Sequence, residues 1–353
     1  MSLTPRERVL AALSHRRPDR TPFELSFTPP MLDKFREETG ATDPDDYFDL
    51  DIRTVGLQPT KHMSDFSRYL PETMPEGTVV DEWGVAHRPG SMYHFTKMIH
   101  PLQAMTTMAE LEEYPFPDVT AEYRYAHLPE QVEGLHSAGY FVQGFAGHIF
   151  EMAWYMRGME NLLADLVLNP EFATALLDRI TDINSVTAKK LAQAGVDMLK
   201  TGDDVGTQKA MLMSPDMWRQ WFKPRLARGI AAAKGVNPDI HVWYHSDGMI
   251  LPIIPDLIEI GVDVLNPIQP ECIDPEMIKR EYGDQISLWG TIGTQSIMPF
   301  GTPQEVREYT KDRIRRLGYN GGLVLAPTHV LEPDVPWENV IAFVETAREF
   351  TDF

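Results

Sequence analysis

Three groups of residues in this chain have types and spacings that could do chemistry. The first closes "HVWYHSDG", residues 241–248, an apolar run that ends in polar groups and turns on a glycine. Residues two apart on an extended segment point to the same side, so His245 and Asp247 form a possible ligand pair for Zn²⁺, Mn²⁺ or Fe²⁺. His329, just beyond the apolar run 322–327, would complete three protein ligands and leave one position open for substrate. The same residues would equally serve as strand-end groups hydrogen-bonded in a cavity. The second group is Asp203-Asp204 in "TGDDVGTQ". Adjacent acids can divide general acid and base roles, because the charge of one raises the pKa of the other; they could also cap a helix or hold an arginine. The third is Glu151 in "GHIFEMAWYMRG", readable as a helix-cap acid, a further ligand or a base.

Positioning these groups requires a scaffold, and the chain is punctuated accordingly. Thr4-Pro5-Arg6-Glu7 and Thr302-Pro303-Gln304-Glu305 are capping boxes with proline in the first helical turn. Asn169-Pro170, Ser214-Pro215 and Asp274-Pro275 follow the same logic. Between helical stretches lie apolar runs of strand length at 22–26, 51–56, 140–146, 197–202, 240–245, 262–266, 286–290 and 322–327. Strands alternating with helices predict a parallel sheet, and eight such units predict one α/β domain over 1–353, a (β/α)8 TIM barrel. No G-x-G-x-x-G favours the open, dinucleotide-binding alternative. "AGVDMLK" (194–200) and "IGVDVLN" (260–266) echo one another at the helix-to-strand joint. Residues 78–117 break the rhythm and predict a β-hairpin excursion turning at Pro89-Gly90.

In such barrels the site lies at the C-terminal ends of the strands. His148 and Glu151 follow 140–146; Asp203, Asp204 and Gln208 follow 197–202; Asn266 closes 262–266, with Gln269 beyond it. Polar groups therefore gather on one rim, with His148, Gln208, Asn266 and Gln269 expected to bind substrate. The other histidines invite less: His87, His94 and His100 fall in the excursion, and His241 reads as a hydrogen-bonded core residue.

A net charge of −20 argues against sequence-independent binding to nucleic acid or an anionic membrane. The single cysteine, Cys272, permits no intramolecular disulfide, in keeping with a reducing cytoplasm. No stretch approaches the roughly 18 apolar residues of a membrane span, so a cytoplasmic protein is expected.

Several segments together carry a family resemblance: "RRPDRTPFE" (16–24), "DEWGV" (81–85), "GDDVGTQ" (202–208), "SPDMWRQWFKP" (214–224), "HSDG" (245–248), "GVDVLNPIQ" (261–269) and "GGLVLAPTHVLEPDVPWENV" (321–340). In these the chain resembles the uroporphyrinogen decarboxylase superfamily, and within it the cobalamin (corrinoid)-dependent methyltransferases. The resemblance implies a (β/α)8 barrel with a deep cleft at its rim. The decarboxylases carry an arginine-rich stretch after the first strand, where this chain has "ELSFTPPMLDKF" (24–35). The methyltransferases write a zinc site as H-x-C-G with a later cysteine. Here those positions fall on His245, Asp247 and Gly248, and on His329. Both thiolates are replaced, giving a harder donor set suited to an oxygen-bearing substrate.

The resemblance thus implies a divalent metal, zinc foremost, on His245, Asp247 and His329, and methyl transfer from an oxygen-linked donor. The acceptor would be a corrinoid supplied by a partner protein docking on an apolar patch at the rim. Asp203, Asp204 and Glu151 would orient substrate or move protons. A homodimer is also implied. The alternatives are a metal-free carboxy-lyase, with Asp203 or Asp204 as proton donor, and a non-catalytic module that binds a corrinoid protein.

Overall fold

The computed structural model describes residues 2–88 and 97–352. Seven strands form one parallel sheet: β1 (Ile52–Val55), β5 (Phe141–Phe145), β6 (Met198–Gly202), β7 (His241–His245), β8 (Val264–Asn266), β9 (Ser287–Ile292) and β10 (Leu323–Pro327), adjacent in that order. The intervening β2 (Val79–Val80), β3 (Ala86–Arg88) and β4 (Lys97–Ile99) make a separate antiparallel sheet. The excursion expected over 78–117 is therefore three-stranded. Its expected turn at Pro89-Gly90, and His94, lie outside the described residues.

The eighth expected strand, 22–26, needs correction. It is extended, but it is joined to β10 only by an isolated bridge between Phe23 and Leu325. Glu24 N–H donates to Leu325 O, and Leu325 N–H to Pro22 O, both at 2.9 Å. Toward β1 its link is a side chain: Phe23 N–H donates to the Asp51 carboxylate at 3.2 Å. The sheet is a curled run of seven strands joined by six ladders, with no ladder between 22–26 and β1 among the described residues. Apolar pattern predicted an extended segment correctly, but pattern does not report which neighbour supplies the backbone partners.

Inward-facing residues alternate along each strand. Ile52, Phe141, Met198, Trp243, Val264, Trp289 and Val324 pack on the concave face, joined by Val9 and Leu13 of the helix Pro5–Leu13. That helix plugs the N-terminal end of the sheet. The larger apolar cluster lies between the sheet's outer face and the flanking helices, including the long Pro170–Ala194. Thr4 and Thr302 form complete capping boxes, and Ser214 and Asp274 cap as expected. Asn169 does not cap its helix; its amide donates instead to Asp165 Oδ1 at 2.9 Å.

The Val-Asp echo has a structural cause. Asp197 Oδ2 accepts Val142 N–H and Asp263 Oδ1 accepts Val242 N–H, each at 2.9 Å. Each aspartate stands just before its strand and closes the first ladder position of the preceding one.

Candidate active site

Strand register builds the site. Gly202 of β6 pairs with His245 of β7, and His245 with Asn266 of β8, so the three strand ends form one row. Asp204 and Asp247 follow two residues after the first two of these.

The loops carrying them are pressed together. Asp203 N–H donates to His245 O, Met249 N–H to Thr207 O, and Val205 N–H to Ser246 Oγ. A Cβ on Gly248, whose φ is +80°, would lie 2.5 Å from Thr207 O, so this turn requires glycine. "HSDG" is thereby explained: His245 and Asp247 face the cleft, buried Ser246 ties two loops, and Gly248 lets them touch.

His245, Asp247 and Asp204 bring one ligand atom each within 4.8 Å of one another. His245 Nδ1 donates to Asn266 Oδ1 at 2.7 Å, which leaves Nε2 facing Asp204 Oδ1 at 3.5 Å. Asp204 Oδ1 also accepts Asp247 N–H at 2.8 Å. The Asp247 carboxylate accepts no hydrogen bond among the described residues. Burial pushes its pKa up, and the charge of Asp204 adds to this against the pull of His245. Burial works against the charged form of His245, yet Asp204 and Asp247 together raise its pKa. Crowded acids and an oriented imidazole are an arrangement that could hold a cation.

A second group, His148, Glu151 and Asp203, also lies within 4.8 Å, but its valences are taken up by protein. Asp203 Oδ1 accepts Ile149 N–H at 2.8 Å and Glu151 N–H at 3.0 Å, capping the helix Phe150–Arg157. Asp203 is 3% exposed, and burial, then the charge of Glu151, raise its pKa well above the usual carboxylate range. Glu151 accepts from Tyr155 OH at 2.8 Å and from Asp204 N–H at 3.2 Å. His148 Nδ1 faces Gly202 O and, at 3.2 Å, Glu151 Oε2. Glu151 thus braces Asp204 from behind.

Two connected chambers open at this row. The outer cleft, about 870 Å³, is lined by Asp204, His245, Asp247, Gln269 and Glu151, and Met98 of β4 reaches its wall. The inner chamber, about 290 Å³, runs down the concave face past Lys200, Trp243 and Trp289. His148, His245 and His329 line both.

Residues 90–350 match the family described as uroporphyrinogen decarboxylase (URO-D). The chain belongs to that family. Among curated URO-D relatives, the methylcobamide:CoM methyltransferase MtaA of Methanosarcina barkeri is 27% identical over 55% of this chain and 57% of its own. The uroporphyrinogen decarboxylase of Chlorobaculum tepidum is 26% identical over 51% of this chain and 50% of its own. The chain thus spans about half the length of these relatives. A methyltransferase from Methanosarcina mazei shares the fold, with TM-score 0.69 and 20% identity over 99% of this chain and 100% of that one. Named URO-D relatives are enzymes of two kinds, and the family alone does not choose between them. No helix among the described residues is long and apolar enough to cross a membrane.

The expected site residues separate under this geometry. Asp204 lies within reach of His245 and Asp247; His329, expected as their third partner, lines the same cleft but is not in that group. Asp203 faces backbone N–H groups of a helix and lines neither chamber. Asn266 lines the inner chamber and orients His245. Gln269 lines the outer cleft, where its Oε1 accepts Gly248 N–H at 3.2 Å. Gln208 lies outside both chambers, bonded to Gln295 and to the Cys272 thiol. Sequence reading passed over Ser246, Glu24 and Lys200. The signal for Lys200 was a lysine in mid-strand at an inward-facing position.

Proposed function

We propose that the chain is a URO-D-family methyltransferase moving a methyl group from an oxygen-linked, methoxy-type donor to a corrinoid on a partner protein. The reading takes 1–353 as one (β/α)8-type domain, its curled sheet completed by segment 22–26. The observation that carries it is the Asp247 carboxylate, with no hydrogen-bond donor among the described residues, beside Asp204 and a tautomer-fixed His245. One nitrogen and two carboxylates suit a borderline divalent cation, zinc foremost. When bound, such a cation supplies Lewis acidity that makes an ether oxygen a better leaving group.

The protein residues have distinct tasks. Asn266 holds the His245 tautomer. Glu151 and Tyr155 fix the Asp204 loop. His329 and His148, on the shared walls of both chambers, would contact the substrate. At the mouth, Phe300 is 81% exposed and Leu212 39%, and both line the outer cleft. This apolar lip supports docking of a corrinoid-bearing partner.

Decarboxylation of a polycarboxylated tetrapyrrole is disfavoured, because no arginine among the described residues lines either chamber. Such a substrate requires several cations. Asp203, the buried acid that could donate a proton, is held by a helix terminus.

Elemental analysis of tag-free protein tests the reading. One equivalent of divalent metal per chain is expected, lost in His245→Ala and in Asp204→Ala. Metal-free protein after zinc and manganese supplementation would overturn it.

A further inference from the structure

The inner chamber contains a cation that the proposed reaction does not use. Lys200 is the central residue of β6 and faces the concave side. Its ammonium lies 4.2 Å from the Trp243 ring centroid, and no carboxylate among the described residues hydrogen-bonds or ion-pairs with it. Glu24, the acid on the same chamber's wall, is engaged elsewhere: it accepts from Gln143 Nε2 and from Trp289 Nε1, each at 2.9 Å. A half-enclosed ammonium without a counter-ion retains most of its interaction capacity. The rest of the wall includes Phe145, Trp243 and Trp289, with His148, His245, Asn266 and His329 also lining the chamber.

The register sets a backbone depth. Lys200 pairs with Trp243, and Gly202 with His245. The Lys200 Cα therefore sits two strand residues below the donor row, roughly 6–7 Å at the usual rise, with its ammonium over Trp243 of the same level. A benzene ring spans a similar distance between a carboxylate and a para substituent.

We infer that the inner chamber is a subsite for a small, flat mono-carboxylate, with the anion on Lys200 Nζ, the body against the wall where Trp243 and Trp289 meet edge to face, and the far end toward His245 and Asp247. The chamber's volume of about 290 Å³ suits a single-ring molecule. Glu24 on the wall excludes a second anion by repulsion, so dicarboxylates are disfavoured. The inference rests on the methyl-transfer reading for the reacting end of the ligand, and on the chamber alone for the anion.

The test is titration calorimetry on chelator-treated full chain with 4-methoxybenzoate, its methyl ester and methoxybenzene. The acid is expected to bind about 10–100-fold tighter than the neutral ligands, the range for a charge-assisted hydrogen bond. Lys200→Met should abolish that preference while leaving the neutral ligands unchanged, and Lys200→Arg should restore most of it. Equal binding of acid and ester, a preference that survives in Lys200→Met, or no millimolar binding of the acid would each overturn the inference. Acid binding without methyl transfer to a Co(I) corrinoid would support the anion subsite and count against the methyl-transfer reading. Transfer from neutral donors with no gain from the carboxylate would do the reverse.

Discussion

At the N-terminal edge of the sheet, Asp51 and Asp197 sit against cations and backbone donors; at the C-terminal edge, Asp204 and Asp247 sit beside one another and His245. Asp51, fully buried, takes Arg8 Nη1 at 2.6 Å, Arg20 Nη1 at 2.7 Å and Phe23 N–H at 3.2 Å. Asp197 takes Arg6, His136 and Val142 N–H. Both acids are fully partnered within the protein. Asp204 and Asp247 face each other and His245 with no arginine or lysine among their partners. At one edge the charges hold the fold together; at the other, two acids share a single histidine, the kind of arrangement found at functional sites.

The contrast can be broken most forcefully at Asp51. Asp51→Ala leaves two guanidinium groups facing a buried gap. It should destabilise the chain by about 3–5 kcal/mol in denaturant unfolding, while the folded fraction keeps its metal. A large loss of metal at unchanged stability would erase the distinction between the edges.

Asn266→Ala addresses the opposite edge. Without the bond to Nδ1, the His245 ring is free to change tautomer, and metal affinity should fall about 10–100-fold. Chelator competition measures it, with the unfolding midpoint of the metal-free protein little changed.

The gentlest probe is pH, and the two edges should respond with opposite slopes. At the lower edge partial burial pushes Asp19 up, but the Arg8 guanidinium and Leu3 N–H prevail and bring its pKa down to about 2. Its contribution is present above the unfolded value of 3.8 and is lost as pH falls toward 2. Asp247 is shifted upward in the folded chain, so the native state binds its proton more tightly than the unfolded one. Stability of metal-free protein should then decline as pH rises from 3.8 through the raised value. Asp19→Asn should flatten the first slope and Asp247→Asn the second; identical profiles for both variants and the parent would count against the contrast.

Much of this was legible beforehand. Seven of the eight expected strands, four of five proline-marked caps and the gathering of polar groups on one rim follow from local rules. Apolar period, capping side chains and strand-end polarity each act within a few residues. The pair His245 and Asp247 was legible for the same reason, since two residues on one extended segment must share a side. Segment 22–26 kept its extended form but not its ladder, because pairing depends on a neighbour some three hundred residues away.

What the sequence alone determined, then, is the set of elements, the rim and the candidate donors, all consequences of local stereochemistry. Only the tertiary structure decided which acid joins which cluster. Asp203 and Asp204 are adjacent and chemically identical. One caps the helix that begins at Phe150, and the other faces His245 across a loop contact. The backbone turns the two side chains in different directions, and the partners waiting there come from other strands. The same holds for Lys200, which the folded chamber sets over an indole face while Glu24, the acid on the same wall, is bonded to Gln143 and Trp289.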